Sequence, residues 1–351
     1  MKMEISNDIL VSVCCITYNQ VFYIRQCLDG FLMQKTNFKF EVIIHDDCST
    51  DGTTDVIREY VEKYPDLIKP IFQERNQYQN GCKRILATFV YPKAQGKYIA
   101  LCEGDDYWTD PLKLQKQFDV LESHKECSIC FCKINKILKD GTPTGETFPM
   151  SNRIKAGIVT IDDFFAEEFS NDNWCFQTSS FFFRSELLLK NDPERVTFFS
   201  HFHVGDLPTV LWSLLHGNGF YIDEVGSCYR VFSGGFTTYR VLHEDWALKN
   251  IDKWLSAYSY LDSYTNKVYH KHINRKRDFR ILDKLYLKGE YFKMINVRFW
   301  WQYYKRPMLM TRVLLKIVMP DMYYIYFRDK WRKYRNNKSF ENLSADNNYS
   351  S

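Results

Sequence analysis

The stretch LVSVCCITYN, Leu10 to Asn19, is a nearly unbroken apolar run that stops at a polar tip, Thr17-Tyr18-Asn19. Such a run fits a strand covered on both faces. The period then changes. In VFYIRQCLDGFLMQ the apolar residues Phe22, Ile24, Cys27, Leu28, Phe31 and Leu32 recur at helical spacing. FEVIIHDD reads as a second strand ending in Asp46-Asp47. STDGTTDVIREYVEKY reads as a helix capped by Ser49 or Thr50, with Asp51 and Asp55 at its positive end and Val56, Ile57, Tyr60 and Val61 as its stripe. IKPIFQ is a third short strand, RILATFVYPKAQG a helix ending at Gly96, and KYIALC a fourth strand. TDPLKLQKQFDVLESH then opens with Asp110 as cap and Pro111 at the first helical position.

This order of strands and helices predicts an α/β domain with a mainly parallel sheet. Ligands of such sheets bind beyond the carboxyl ends of the strands. Three polar clusters fall there: the Thr17-Tyr18-Asn19 tip, Asp46-Asp47, and Glu103-Gly104-Asp105-Asp106. Carboxylates so close together raise one another's pKa unless positive charge lies between them. A solvated turn is one account of the third cluster; a hard cation such as Mg²⁺ or Mn²⁺ is the other.

Beyond Cys127 the pattern becomes short strands and aromatic-rich loops, and from about Thr237 it becomes helical. Residues 270–335 carry eighteen Lys and Arg against five acidic residues, interleaved with Trp300, Trp301, Tyr303 and Tyr304. That pattern suits a surface lying on anionic lipid, and equally a helical appendage whose aromatics pack on the α/β core. The tail 336–351 is polar and expected to be disordered.

Composition narrows the classes. The 351 residues are 45% hydrophobic and 26% charged, ordinary globular values that exclude wholesale disorder. A net charge of +4 is too small to argue for nucleic acid, and no nucleic-acid module accompanies the late basic residues. The first ten residues lack a secretory pattern, and no run of about eighteen uncharged apolar residues occurs. Eleven cysteines, an odd number, several within apolar strands, then read as reduced thiols in a cytoplasm. Cys127, Cys130 and Cys132 have half the spacing of a zinc site, but they alternate with Ile129 and Phe131 as strand residues do.

VSVCCITYN, FEVIIHDDCSTDGT, AQGKYIALCEGDDYW and DPLKLQKQ, in that order and spacing, resemble the family 2 glycosyltransferases of the GT-A fold. The resemblance covers about Leu10 to Gly235. It implies a Rossmann-like GT-A sheet flanked by helices, occupying 1–236, with a nucleotide-sugar half over about 1–125 and an acceptor half over about 126–236. A basic helical region, 237–335, follows.

The resemblance also implies roles. Tyr18 would lie against uracil and Asn19 would belong to the same nucleotide-binding tip. Asp47 would accept from the imide N–H, while Asp46 holds nucleotide or braces the loop. The family's acidic triplet falls on Glu103-Gly104-Asp105. Glu in its first place is a departure, which leaves Mn²⁺ or Mg²⁺ to Asp105 or Asp106 and turns Glu103 toward ribose or water. Lys83 and Arg84 would neutralise phosphate or else face solvent, and Arg230 would contact the diphosphate from a late segment, YRVFSGG.

Asp206, in HFHVGDLPTVLWSLLHG, would be the general base of an inverting transfer; read alone, it is an N-cap. His201 and His203 read as buried or solvated imidazoles. The implied partners are a nucleotide-sugar donor, with UDP expected, and a glycan or lipid-linked glycan acceptor. The expected location is cytoplasmic, at the inner face of the membrane. Transfer to a polyprenyl phosphate and sugar-nucleotide binding without turnover are the alternatives.

Overall fold

The computed structural model describes residues 8–150, 153–170, 175–189, 192–231, 244–299 and 307–318. The chain divides into two compact units, Met1–Val231 and Phe232–Ser351. The first is built on a ten-stranded sheet.

Strands β1 (Ile9–Thr17), β2 (Lys39–Asp46), β3 (Ile68–Phe72) and β4 (Tyr98–Glu103) are parallel, in the order β3-β2-β1-β4. They are the four apolar runs of the sequence, and Val11, Val13, Cys15, Val42, Ile44, Ala100 and Cys102 form one core with Leu28, Phe31 and Ile57 of the covering helices. Those helices are α1 (Ile24–Leu32), α2 (Thr53–Lys63) and α3 (Lys113–Ser123). Between β4 and α3 lies the two-residue β5 (Tyr107–Trp108).

The sheet continues across the expected boundary between halves. After β4 come β9 (Phe182–Arg184), β6 (Cys127–Leu138) and β10 (Asn218–Val231), with β5 on the far edge of β10. Strand β9 is antiparallel to both neighbours, whereas β6 and β10 run parallel. Strands β7 (Pro143–Phe148) and β8 (Gly157–Val159) pair with β6 and β10. The later part of the unit therefore holds the two longest strands, where short ones were expected. Cys127, Cys130 and Cys132 are buried on β6. Short helices α4 (Ile161–Phe164) and α5 (Glu186–Leu189) precede α6 (Pro193–Ser200) and α7 (Asp206–Leu215).

Several local expectations are corrected. RILATFVYPKAQG is not an α-helix: it is a π-turn at Leu86–Val90 and a 3₁₀ turn at Tyr91–Lys93. Pro92 has no N–H for an i→i−4 bond, so the regular helix cannot pass it. Lys83 and Arg84 precede the π-turn rather than lying on a helix. Helix α2 is entered through Gly52 at φ 98°, and Asp51 rather than Ser49 or Thr50 accepts from the Thr53 amide, at 3.0 Å. Helix α3 begins at Lys113, while Asp110 accepts from the Leu112 amide at 2.9 Å.

The second unit contains α8 (Glu244–Tyr264), α9 (His270–Leu287), α10 (Tyr291–Met294) and α11 (Pro307–Val318). Helices α8 and α9 pack on each other, and Trp254, Tyr258, Leu261, Ile273, Phe279 and Leu282 are buried. Among the described residues no helix is long and apolar enough to cross a membrane. Trp300, Trp301, Tyr303, Tyr304, the Phe232–Gly235 end of the late segment and the tail from Asn336 lie outside the described residues.

Candidate active site

The parallel strands deliver their polar ends to one edge of the sheet. Strand β4 ends at Glu103, beside Ile16 of β1 in register. The chain then turns sharply: the Gly104 amide donates to the Ile16 carbonyl at 3.0 Å and the Asp106 amide to the Glu103 carbonyl at 3.0 Å. Gly104 is required here. A Cβ would stand 2.5 Å from Gln20 Oε1 and 2.8 Å from both Cβ and Oγ1 of Thr17. Thr17 Oγ1 in turn donates to Gln20 Oε1 at 2.7 Å, closing the strand tip over the acidic turn.

All three carboxyls of the turn are pushed upward. For Glu103, burial, the Asp105 charge and the Asp206 charge raise the pKa to about 8. Burial also raises Asp105, against the pull of Arg230 and Gln20. Asp106 is 1% exposed, and burial followed by the charges of Asp105 and Glu103 drives it well above the usual carboxylate range. Its Oδ1 accepts from the Arg230 amide at 2.9 Å; its buried Oδ2 makes no hydrogen bond of good geometry, although the Ser179 side chain is near enough to pull the pKa back down. A buried carboxylate oxygen left unpaired costs free energy unless a proton or a cation occupies it.

That orphaned oxygen, in a set of hard oxygen donors that repel one another, fits a divalent cation. Among the described residues no three His, Cys, Asp or Glu side chains converge to cage an ion unaided. The arrangement matches Mg²⁺-type binding, in which one or two carboxylates act together with substrate phosphates.

Asp206, at the start of α7, lies close enough to this turn for its charge to act on Glu103. Gly205 takes the N-cap position, so Asp206 is the first residue of α7 rather than its cap. Its Oδ1 accepts from the Leu207 amide at 2.8 Å.

Of the expected nucleotide residues, Tyr18 is 39% exposed at the tip of β1, with its ring available to a ligand. Asn19 adopts φ 51° and pins the adjoining loop: its amide donates to Ser49 Oγ at 2.9 Å and its Oδ1 accepts from the Thr50 amide at 2.8 Å. Asp46 is buried and accepts from Ser49 and from Thr54 Oγ1, which is a bracing role. Asp47 uses one oxygen for the Gln77 amide at 2.8 Å and the other for the Tyr78 amide at 3.0 Å. Lys83 is turned away to Tyr78, donating to its carbonyl at 2.7 Å with Nζ 3.7 Å above the ring. Arg84 is half-buried near Arg195; burial and then that neighbouring charge lower its pKa.

Arg230, expected at the diphosphate, is 5% exposed and bonded to the acidic turn. Reading the sequence missed Gln20 and Gln26, which meet Asp105 and Arg230. The position of Gln20, just past the polar tip of β1, is the one signal that was available for it.

Residues 12–185 match the family described as Glycosyl transferase family 2. An uncharacterised protein of Mycobacterium tuberculosis is 44% identical over 164 residues, covering 46% of this chain and 45% of that one. The putative teichuronic acid biosynthesis glycosyltransferase TuaG of Bacillus subtilis is 34% identical over 134 residues, covering 38% of this chain and 50% of TuaG. The chain thus spans about half the length of the curated relatives it matches. Among solved structures, the mannosyltransferase PcManGT of Pyrobaculum calidifontis, in complex with GDP-Man and Mn²⁺, superposes with a TM-score of 0.53 at 16% identity. The match covers 90% of this chain and 82% of that one, and the shared fold is of the GT-A type.

Proposed function

The chain belongs to the family 2 glycosyltransferases through its residues 12–185, and from that premise we propose a metal-dependent, inverting transfer of a sugar from a nucleotide-sugar, with UDP as the nucleotide, to a glycan or lipid-linked glycan. One observation carries the reading. Glu103, Asp105 and Asp106 crowd one turn at the carboxyl end of β4, and Asp206, distant in sequence, lies near enough for its charge to act on Glu103. A solvated turn has no use for the fourth carboxyl, or for an unpaired buried oxygen.

Tyr18 offers a ring to the base, and Asp47 a carboxylate to its imide N–H. Asp105 and Asp106 would hold a Mg²⁺ or Mn²⁺, whose charge would stabilise the departing diphosphate oxygen. Glu103 would reach the ribose or a bound water. Asp206 takes the proton of the acceptor hydroxyl as its oxygen attacks the anomeric carbon. The bond from that carbon to the diphosphate breaks, the nucleoside diphosphate leaves, and attack from the opposite face inverts the centre.

Asp206→Asn tests the base. The amide keeps an oxygen for the Leu207 amide, so folding and UDP binding stay near wild type. Transfer should slow by at least about a hundredfold. Transfer at the wild-type rate would place the base elsewhere, or point to a phosphate acceptor that needs none. Undetectable turnover in the wild type across UDP- and GDP-sugars, with UDP binding intact, would leave a binding protein.

A further inference from the structure

Strand β10 ends by carrying Arg230 underneath the acidic turn. Its backbone amide donates to Asp106 Oδ1 at 2.9 Å, and its Nε donates to the Asp105 carbonyl at 3.0 Å. Nη1 donates to the carbonyl of Lys139, just past β6, at 2.8 Å and to that of Leu138, the last residue of β6, at 3.4 Å. Nη2 donates to Gln26 Oε1 of α1 at 2.8 Å. The guanidinium carbon lies 4.6 Å from the Tyr23 ring centroid and 5.7 Å from that of Tyr107.

A side chain that grips a phosphate needs outward N–H groups. Here the planar fork is spent on backbone carbonyls and one glutamine, and the residue is 5% exposed. Its contacts have a direct effect on the carboxylates. The backbone amide of Arg230 holds Asp106 Oδ1, and the side chain adds what other residues could not, an Nε that fixes the Asp105 peptide from below. Without these bonds three mutually repelling acids have reason to splay apart.

We propose that Arg230 is a positioning residue: it holds the Asp105-Asp106 turn so that its carboxylates meet a diphosphate-bound divalent cation, and it does not touch the diphosphate itself. The inference rests on reading Asp105 and Asp106 as the metal-holding pair. It also explains the residue type. Several carbonyls at fixed angles suit a guanidinium fork, and the single ammonium of lysine cannot replace it.

The test is UDP affinity by calorimetry, in chelator and in Mn²⁺, for the wild type, Arg230→Met, Arg230→Lys and Gln26→Leu, with melting curves to confirm folding. In chelator all four should bind UDP alike. In Mn²⁺ the wild type should tighten, and both Arg230 variants should lose about tenfold or more of that gain, as removal of a partner behind a metal ligand typically does. Gln26→Leu leaves Arg230 and every carboxylate in place, so it should lose a smaller share, and it carries the test if Arg230→Met does not fold. Weaker UDP binding by Arg230→Met already in chelator would overturn the proposal in favour of a direct phosphate contact. A full Mn²⁺ gain in folded Arg230→Met, or in Gln26→Leu should that variant carry the test, would also overturn it. A wild type whose UDP affinity ignores Mn²⁺ would instead remove the metal reading on which the proposal stands.

Discussion

At Gly104 an added methyl group would press on the Cβ of Thr17, an atom that cannot rotate away, at 2.8 Å. Gly104→Ala should therefore displace the acidic turn, with an overpacking cost of about 1–3 kcal/mol. A lower melting temperature together with a weakened Mn²⁺-dependent gain in UDP affinity would confirm this; an unchanged gain would mean that the turn tolerates the shift. Glu103 gives a second handle. Its folded pKa of about 8 lies above the roughly 4.3 of an unfolded glutamate, so the folded chain holds an extra proton between those values. The associated stability is fully present below about pH 4.3 and is lost as pH rises through about 8. The chelated protein should melt at lower temperature at pH 8 than at pH 5.5, and Glu103→Gln should flatten the trend; an equal slope in the variant would assign it to other groups. The acids themselves were legible because they end apolar runs. The partners that hold them were not: Arg230 and Gln26 stand 204 residues apart, and their meeting exists only in the folded sheet.

Strand β1 is joined to the start of β4 by a small buried polar knot. Ser12 Oγ donates to Glu41 Oε1 at 2.6 Å and accepts from the Gly96 amide at 2.9 Å, while Glu41 also accepts from the Gln95 amide at 2.9 Å. Gly96 lets the chain pass: its Cβ would stand 2.5 Å from the Ser12 nitrogen, a backbone atom. Gly96→Ala should destabilise by about 3 kcal/mol or more in denaturant unfolding. A loss within experimental error would show that the β1–β4 entry can open without strain. At this scale the regular helices were legible from their 3.6-residue stripes and the parallel strands from their continuous apolar runs. Helix starts were less so, because Asp51, Ser49 and Thr50 are all competent caps and only the left-handed Gly52 decides between them. The break at Pro92 was available in the sequence and was outweighed by the apolar period around it.

Over the whole molecule, β1 to β4 follow directly from alternating strands and helices, but β9 does not. Its three residues sit in an aromatic stretch, yet they join the two halves by pairing antiparallel to both β4 and β6. No local pattern announces a strand so short; its place comes from burying Phe182 and Phe183 completely. The basic second unit bears on location. With eighteen Lys and Arg against five acidic residues over 270–335, the chain should sediment with anionic vesicles at low salt and release as screening rises. Indifference to such vesicles would leave the expectation of a helical appendage whose aromatics pack on the core.

The two ways in which the site is fastened imply two tempos. The amide of Gly104 is stitched to a carbonyl of central strand β1, so its proton should trade with deuterium only when the sheet itself opens. The amides of Gln77 and Tyr78 are secured by a single carboxylate, that of Asp47, and a modest local excursion releases both. Deuterium uptake should accordingly separate the acidic turn, slow and almost silent, from the loop that Asp47 secures, fast and adjustable.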